Sequence, residues 1–160
     1  MFAVGDKIVY PMHGAGIVNS IEQRELNGGE VPYLVMGMLL SDMKVMVPVA
    51  NVDRVGLRHI IAPSELTEVE ERLANDTGEN NRGMTWNRRL NLYLDKMKSG
   101  NVLLVAEVIH TLQTQENEKK LSTGERRLLG TARQILISEV MLVNNAGQEE
   151  TEQWLDNFFV

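Results

Sequence analysis

The chain of 160 residues contains no cysteine, which excludes a disulfide framework and a thiolate metal site. Aromatic residues make up only 5% of the sequence, and no apolar run approaches the roughly 20 residues of a membrane-spanning helix. The first residues lack the basic stretch and the apolar run of a secretory signal. We therefore expect a soluble cytoplasmic protein without a membrane partner.

Positive charge is also scarce, because 16 lysines and arginines face 22 acidic residues. This balance argues weakly against nucleic-acid binding, which cations drive. The cations are unevenly distributed, however, and distribution matters more than the sum. Residues 82–98 carry five basic residues against Asp95 alone, and residues 119–133 carry five more against Glu125 alone. The two windows are therefore candidates for contact with an anionic partner.

The hydrophobic period changes once along the chain. Residues 1–56 contain short β-branched runs and glycine turns, one of them at Gly28–Gly29, which indicate a small barrel or sandwich. Residues 64–160 have helical periodicity, and about five helices are expected, one of them over residues 86–98. We predict an α+β two-domain protein with a linker at residues 57–63.

No residue cluster in the sequence indicates catalysis. His13, His59 and His110 lack the spacing of a helical zinc site. Residues 13–16 contain a Gly-x-Gly without the remainder of a dinucleotide-binding motif. We expect no enzymatic activity, no cofactor and no metal ion.

One predicted helix start combines an aromatic ring with positive charge. Trp86 stands just before Arg88 and Arg89, and Ser122 and Glu125 form a capping box inside the second basic window. The ordinary interpretation is a core tryptophan beside surface arginines. The alternative is a duplex contact, in which the cations hold phosphates and the ring wedges at a minor-groove step. The pattern of residues leaves both interpretations open.

The sequence resembles the CarD/CdnL family of bacterial transcription regulators that bind RNA polymerase. The resemblance spans nearly the whole chain, in the same order. The matching stretches are VGDKIVYPMHGAGIV at 4–18, VMVPVANVDRVGLR at 45–58, WNRRLNLYLDKMKSGN at 86–101, VAEVI at 105–109 and LSTGERRLLGTARQIL at 121–136.

This resemblance implies a fold and a set of contacts. It implies a Tudor-like, SH3-type β-barrel that docks on the polymerase β subunit, followed by an all-α domain. It also implies that a tryptophan wedges into the minor groove of promoter DNA at the upstream edge of the −10 element, and Trp86 matches it. The DNA-binding residues that it implies are Trp86, Arg88, Arg89, Arg82, Arg126 and Arg127. The polymerase-binding residues that it implies are Arg24, Met36, Met38, Met46 and Pro48.

The sequence departs from the family pattern at several basic positions. Met46 stands where some relatives carry arginine, and Asn91, Gln113 and Gln115 stand where others are basic. We therefore expect weak, largely sequence-independent DNA binding, and a monomer that stabilises the promoter open complex once polymerase holds it. The alternative is a protein-only adaptor that docks polymerase or a repair factor without touching DNA.

Overall fold

The structure is a computed structural model that describes residues 1–76 and 83–160. Five strands form one antiparallel sheet in the order β4-β3-β2-β1-β5. The strands are β1 Lys7–Tyr10, β2 Gly14–Leu26, β3 Gly29–Met38, β4 Lys44–Pro48 and β5 Arg58–His59. Five α-helices are present in the described residues: α1 Leu66–Ala74, α2 Trp86–Lys98, α3 Val102–Glu118, α4 Thr123–Asn144 and α5 Gln148–Asp156. The predicted fold class, a small Tudor-like β domain followed by an all-α domain, is confirmed.

The long β2–β3 hairpin turns one residue earlier than the sequence predicts. Leu26 pairs with Gly29, so Asn27 and Gly28 form the two-residue loop, with φ of 53° and 83°. A two-residue hairpin loop with positive φ at both positions favours Asn-Gly. Gly29, predicted as part of the turn, is instead the first residue of β3.

The segment predicted as a linker contributes a strand to the sheet. β5 lies inside residues 57–63 and pairs antiparallel with β1, where His59 faces Ile8 and Arg58 faces Val9. Leu57, just before it, is buried in the core of the sheet. The chain therefore does not leave the β domain at residue 57, because β5 ties it to the sheet for two more residues.

The β domain and the helical domain each have a hydrophobic core of their own. The two domains also contact each other directly. Between them, the N–H of Ala15 on β2 donates to Oγ of Ser138 on α4 at 2.8 Å. The guanidinium of Arg58 on β5 makes a two-point ion pair with Glu139 on α4, at 2.7 and 2.9 Å. The sheet therefore packs against α4.

Candidate nucleic-acid interface

Trp86 is the first residue of α2, and its side chain reaches the start of a second helix. Thr85 caps α2, since its Oγ1 accepts the N–H of Arg88 at 3.2 Å. Trp86 is 47% exposed. The interpretation of Trp86 as a core residue is therefore wrong, and its ring is accessible from solvent.

The indole of Trp86 lies against the first turn of α4. Its Nε1–H donates to Oγ of Ser122, the residue that caps α4, over a long 3.4 Å. A Cβ placed on Gly124 would lie 3.3 Å from Cζ2 of the ring. The N-termini of α2 and α4 therefore meet at Trp86. Each helix N-terminus carries a partial positive charge, which favours an anion nearby.

The predicted capping box of α4 is confirmed, and it explains a buried acidic residue close to this surface. Oγ of Ser122 accepts the N–H of Glu125 at 3.2 Å, and Oε1 of Glu125 accepts the N–H of Ser122 at 3.2 Å. Glu125 is only 4% exposed, and its other oxygen accepts a hydrogen bond from the amide of Gln115 at 3.4 Å. The Glu125 carboxylate is therefore buried, and both of its oxygens accept hydrogen bonds within the protein.

Arginines follow Trp86 on α2 and Ser122 on α4, as the sequence predicts. Arg88, Arg126 and Arg127 are exposed, and Arg126 also donates to the backbone oxygen of Leu121 at 3.3 Å. Arg89 is half-buried, and its Nε is enclosed without a hydrogen-bond partner among the described residues. Arg82, also predicted to contact DNA, lies outside the described residues. The first turns of two adjoining helices thus present one aromatic ring and several cations.

The residues predicted to contact polymerase have different positions in the sheet. Met46 lies on β4 at the edge of the sheet and is 41% exposed, and Pro48 on the same strand is half-buried. Met38 is half-buried on β3. Arg24 is exposed on β2 and pairs with Glu22 at 2.8 Å. These four side chains are therefore at least partly accessible to a partner.

Met36 requires a correction. Its side chain is completely buried in the core of the β domain, between neighbours on the inner face of the sheet. Its strand, β3, is paired on both sides by β2 and β4, so its backbone is occupied as well. Met36 therefore packs in the core of the sheet, and its side chain is not accessible to a partner as predicted.

The sequence did not predict that Ser122 and Gly124 contact the indole of Trp86. Ser122 was recognised only as a helix cap, and Gly124 was not singled out. No local pattern links either residue to Trp86, because the indole reaches them across 36 residues of sequence. A glycine one residue after the start of a helix is the only available signal for Gly124.

Two features are absent from the described residues. No group of three or more histidine or acidic side chains there has the arrangement of a metal centre. None of the helices between residues 1–76 or 83–160 is both long and apolar enough to cross a bilayer.

Comparison with known proteins gives a consistent result for both domains. Residues 68–156 match the family model of the CarD C-terminal domain, and residues 2–61 match the CarD-like/TRCF RID domain. The chain is 32% identical over 154 residues to YdeB of Bacillus subtilis (strain 168), a protein named as a candidate transcription factor. That match covers 96% of this chain and 99% of YdeB.

One solved structure is similar to part of the chain. It is the solution NMR structure of the 72-residue N-terminal domain of Myxococcus xanthus CarD, at 34% sequence identity and a TM-score of 0.33. The match covers 37% of this chain and 79% of that one. The match of both family domains in order, together with the end-to-end similarity to YdeB, shows that the chain belongs to the CarD family of transcription regulators.

Proposed function

We propose that the protein docks on the RNA polymerase β subunit through its β domain and prolongs the life of the promoter open complex. In this proposal Trp86 wedges into the minor groove at the upstream edge of the −10 element. The observation that carries it is the half-exposed indole at the meeting point of two helix N-termini, beside exposed arginines of both helices.

The chemistry of this surface suits a bent or opening duplex. An apolar ring inserted at a base step replaces lost stacking, and the unstacking costs about a few kcal/mol. Arg88, Arg126 and Arg127 are exposed and would neutralise phosphates beside the ring, which would position the protein without reading sequence. If the ring fits partly melted DNA better than closed duplex, its binding shifts the equilibrium towards the open complex.

The proposed docking strand is the edge strand β4. An edge strand offers free backbone groups to which a partner strand can be added, and exposed side chains then supply specificity. Here Met46 is the exposed apolar side chain, with Pro48 further along β4. Arg24 on β2 would add a charge contact with polymerase. The match to the CarD-like/TRCF RID domain over residues 2–61 supports a docking role for this half of the chain.

Tethering reconciles the acidic chain with DNA contact. A net charge of −6 weakens binding to free DNA. Once polymerase holds the β domain, the local concentration of promoter DNA near Trp86 reaches the millimolar range typical of short tethers. The protein would then act at promoters occupied by polymerase and leave other DNA alone.

The test is the lifetime of open complexes formed by purified polymerase, with and without the protein. We expect Trp86→Ala to bind polymerase like the wild type but to lose most of the increase in lifetime. Trp154→Phe is the matched control, because it removes the other tryptophan, which lies on α5 and donates to Glu70. Trp154→Phe should leave the lifetime unchanged.

A second pair of variants tests docking. Met46→Glu should abolish polymerase binding, whereas Met43→Glu should retain it, because Met43 is exposed but lies just outside β4. A wild-type open-complex lifetime with Trp86→Ala would refute the proposed wedge. If Trp86 also failed to crosslink to promoter DNA within the polymerase complex, the protein-only adaptor would replace it.

A further inference from the structure

We infer that Ser122 and Gly124 are positioning residues, which together form a seat for the Trp86 indole and hold it in one orientation before DNA arrives. The consequence for transcription rests on the proposed function. The orientation of the ring is a property of the free protein and can be measured without polymerase.

The hydroxyl of Ser122 has a full set of hydrogen bonds only when the indole is present. A serine hydroxyl donates one hydrogen bond and accepts two. Oγ of Ser122 donates to Oε1 of Glu125 at 2.9 Å, and it accepts the N–H of Glu125 at 3.2 Å. The Nε1–H of Trp86 takes the remaining acceptor position at 3.4 Å. Because the capping box fixes the hydroxyl, it also fixes the direction in which the indole N–H must point.

Gly124 provides the surface on which the ring lies. A Cβ at this position would come within 3.3 Å of Cζ2 and 3.7 Å of Cη2 of Trp86, and within 4.0 Å of Cδ1 of Leu90. The first distance is tighter than an ordinary van der Waals contact, so any larger residue would push the ring outwards. The same glycine that admits the ring therefore also limits how closely it approaches α4.

The backbone gives no other reason for glycine at residue 124. Gly124 does not have a positive φ, so its backbone conformation is open to any L-amino acid. In a helical conformation glycine is among the least favourable residues. The contact with Trp86 is a reason to keep it, because only glycine leaves room for the six-membered ring at this distance.

A preformed orientation matters because a free tryptophan side chain would have to be ordered when it enters the groove. The loss of rotamer freedom on binding weakens an interaction, and a side chain that is already oriented avoids this loss. We expect the seat to change the open-complex lifetime about two- to tenfold, the range that corresponds to ordering one side chain.

Gly124→Ala separates ring placement from stability, and α4 supplies its matched control. Gly130 is an exposed glycine of the same helix with nothing within 4 Å of a Cβ placed on it. Alanine at either position should leave the protein as stable or more stable, because alanine is the better helix former. Only Gly124→Ala should displace the indole. Ser122→Ala would be less informative, since it also removes the cap.

The measurement uses the full-length protein carrying Trp154→Phe, so that Trp86 is the only fluorophore of its kind. Gly124→Ala should shift the emission of Trp86 and increase its quenching by acrylamide, and it should shorten open complexes two- to tenfold relative to Gly130→Ala. If the two variants had the same emission and the same quenching, the seat would be refuted. Altered emission and quenching with equal lifetimes would support the seat and refute its consequence for open complexes. The lifetime with Trp86→Ala tells the two failures apart, because a wild-type lifetime in that variant would mean that the wedge itself is wrong, whatever the orientation of the ring in the free protein.

Discussion

The ion pair between Arg58 and Glu139 should contribute more to stability than any surface pair of the same length. Glu139 is completely buried on α4. Its carboxylate accepts hydrogen bonds from both terminal nitrogens of Arg58, and from the N–H of Ile61 at 2.9 Å. The Arg58 side chain is 28% exposed, and its Nε donates to the backbone oxygen of Gly100 at 2.5 Å. One carboxylate therefore connects β5, the segment that follows it and α4.

The expected magnitudes follow from what each variant leaves behind. Glu139→Leu leaves a guanidinium and an N–H without their acceptor, at a cost of about 3 kcal/mol, near the lower limit for a broken buried pair because water reaches Arg58. Arg58→Met leaves a buried carboxylate unpaired, at about 4 kcal/mol. The double variant leaves the N–H of Ile61 without its acceptor and removes the donor to the backbone oxygen of Gly100, but it leaves no unpaired charge, so it should lose about 1–3 kcal/mol.

Urea unfolding followed by circular dichroism measures these differences. The sum of the two single losses should exceed the double loss by about 4–6 kcal/mol on these figures, and this excess is the coupling energy of the pair. Glu22→Gln is the surface control, because Glu22 pairs with Arg24 at a similar 2.8 Å but with the side chains 40% and 55% exposed. It should cost about 0–1 kcal/mol. Losses that added within about 0.5 kcal/mol would show that the buried pair is not coupled.

Two further predictions concern the β domain. Gly16→Ala should destabilise it by about 3 kcal/mol in urea unfolding, because the new Cβ would lie 2.2 Å from the backbone oxygen of Gly37, which cannot move aside. Gly37→Ala places its new Cβ only against the flexible side-chain amide of Asn19, so it should cost clearly less than Gly16→Ala. The second prediction concerns the pH dependence of stability. The pKa of Asp6 is lowered, first by the N–H of Ala3 and then by His59. Its contribution to stability is therefore complete at neutral pH and is lost as the pH falls through the lowered pKa. Asp6→Asn should flatten this acid part of the stability curve, and an unchanged curve would contradict it.

Local signals in the sequence predicted the helical side of the site well. The helix from Trp86 to Lys98 has its predicted limits, because apolar residues at helical spacing are a property of neighbouring residues. The Ser122–Glu125 box marks the start of α4 for the same reason. The exposure of Trp86, in contrast, depends on where α4 lies, and the sequence left it open.

The sheet shows where local patterns fail. Leu34, Val35 and Met36 are consecutive on β3 and all are buried, so alternation along the strand could not tell the inner face from the outer. β5 is only two residues long, too short for any periodic signal, and it forms by pairing with β1 about 50 residues earlier in the chain. The burial of Glu139 was equally hidden, since an acidic residue on a helix usually faces water.

The contact between the domains has a consequence for the proposed mechanism. The proposed docking strand is in the sheet and the proposed wedge is on the helices, so polymerase could place Trp86 at a defined base step only if the two domains kept a fixed relation. Arg58–Glu139 and Ala15–Ser138 fix α4 against the sheet, and α4 begins with the Ser122 cap that holds the indole. The same helix therefore links the position of the ring to the sheet. Loosening the ion pair should shorten open complexes even though Glu139 lies far along α4 from the proposed DNA contact.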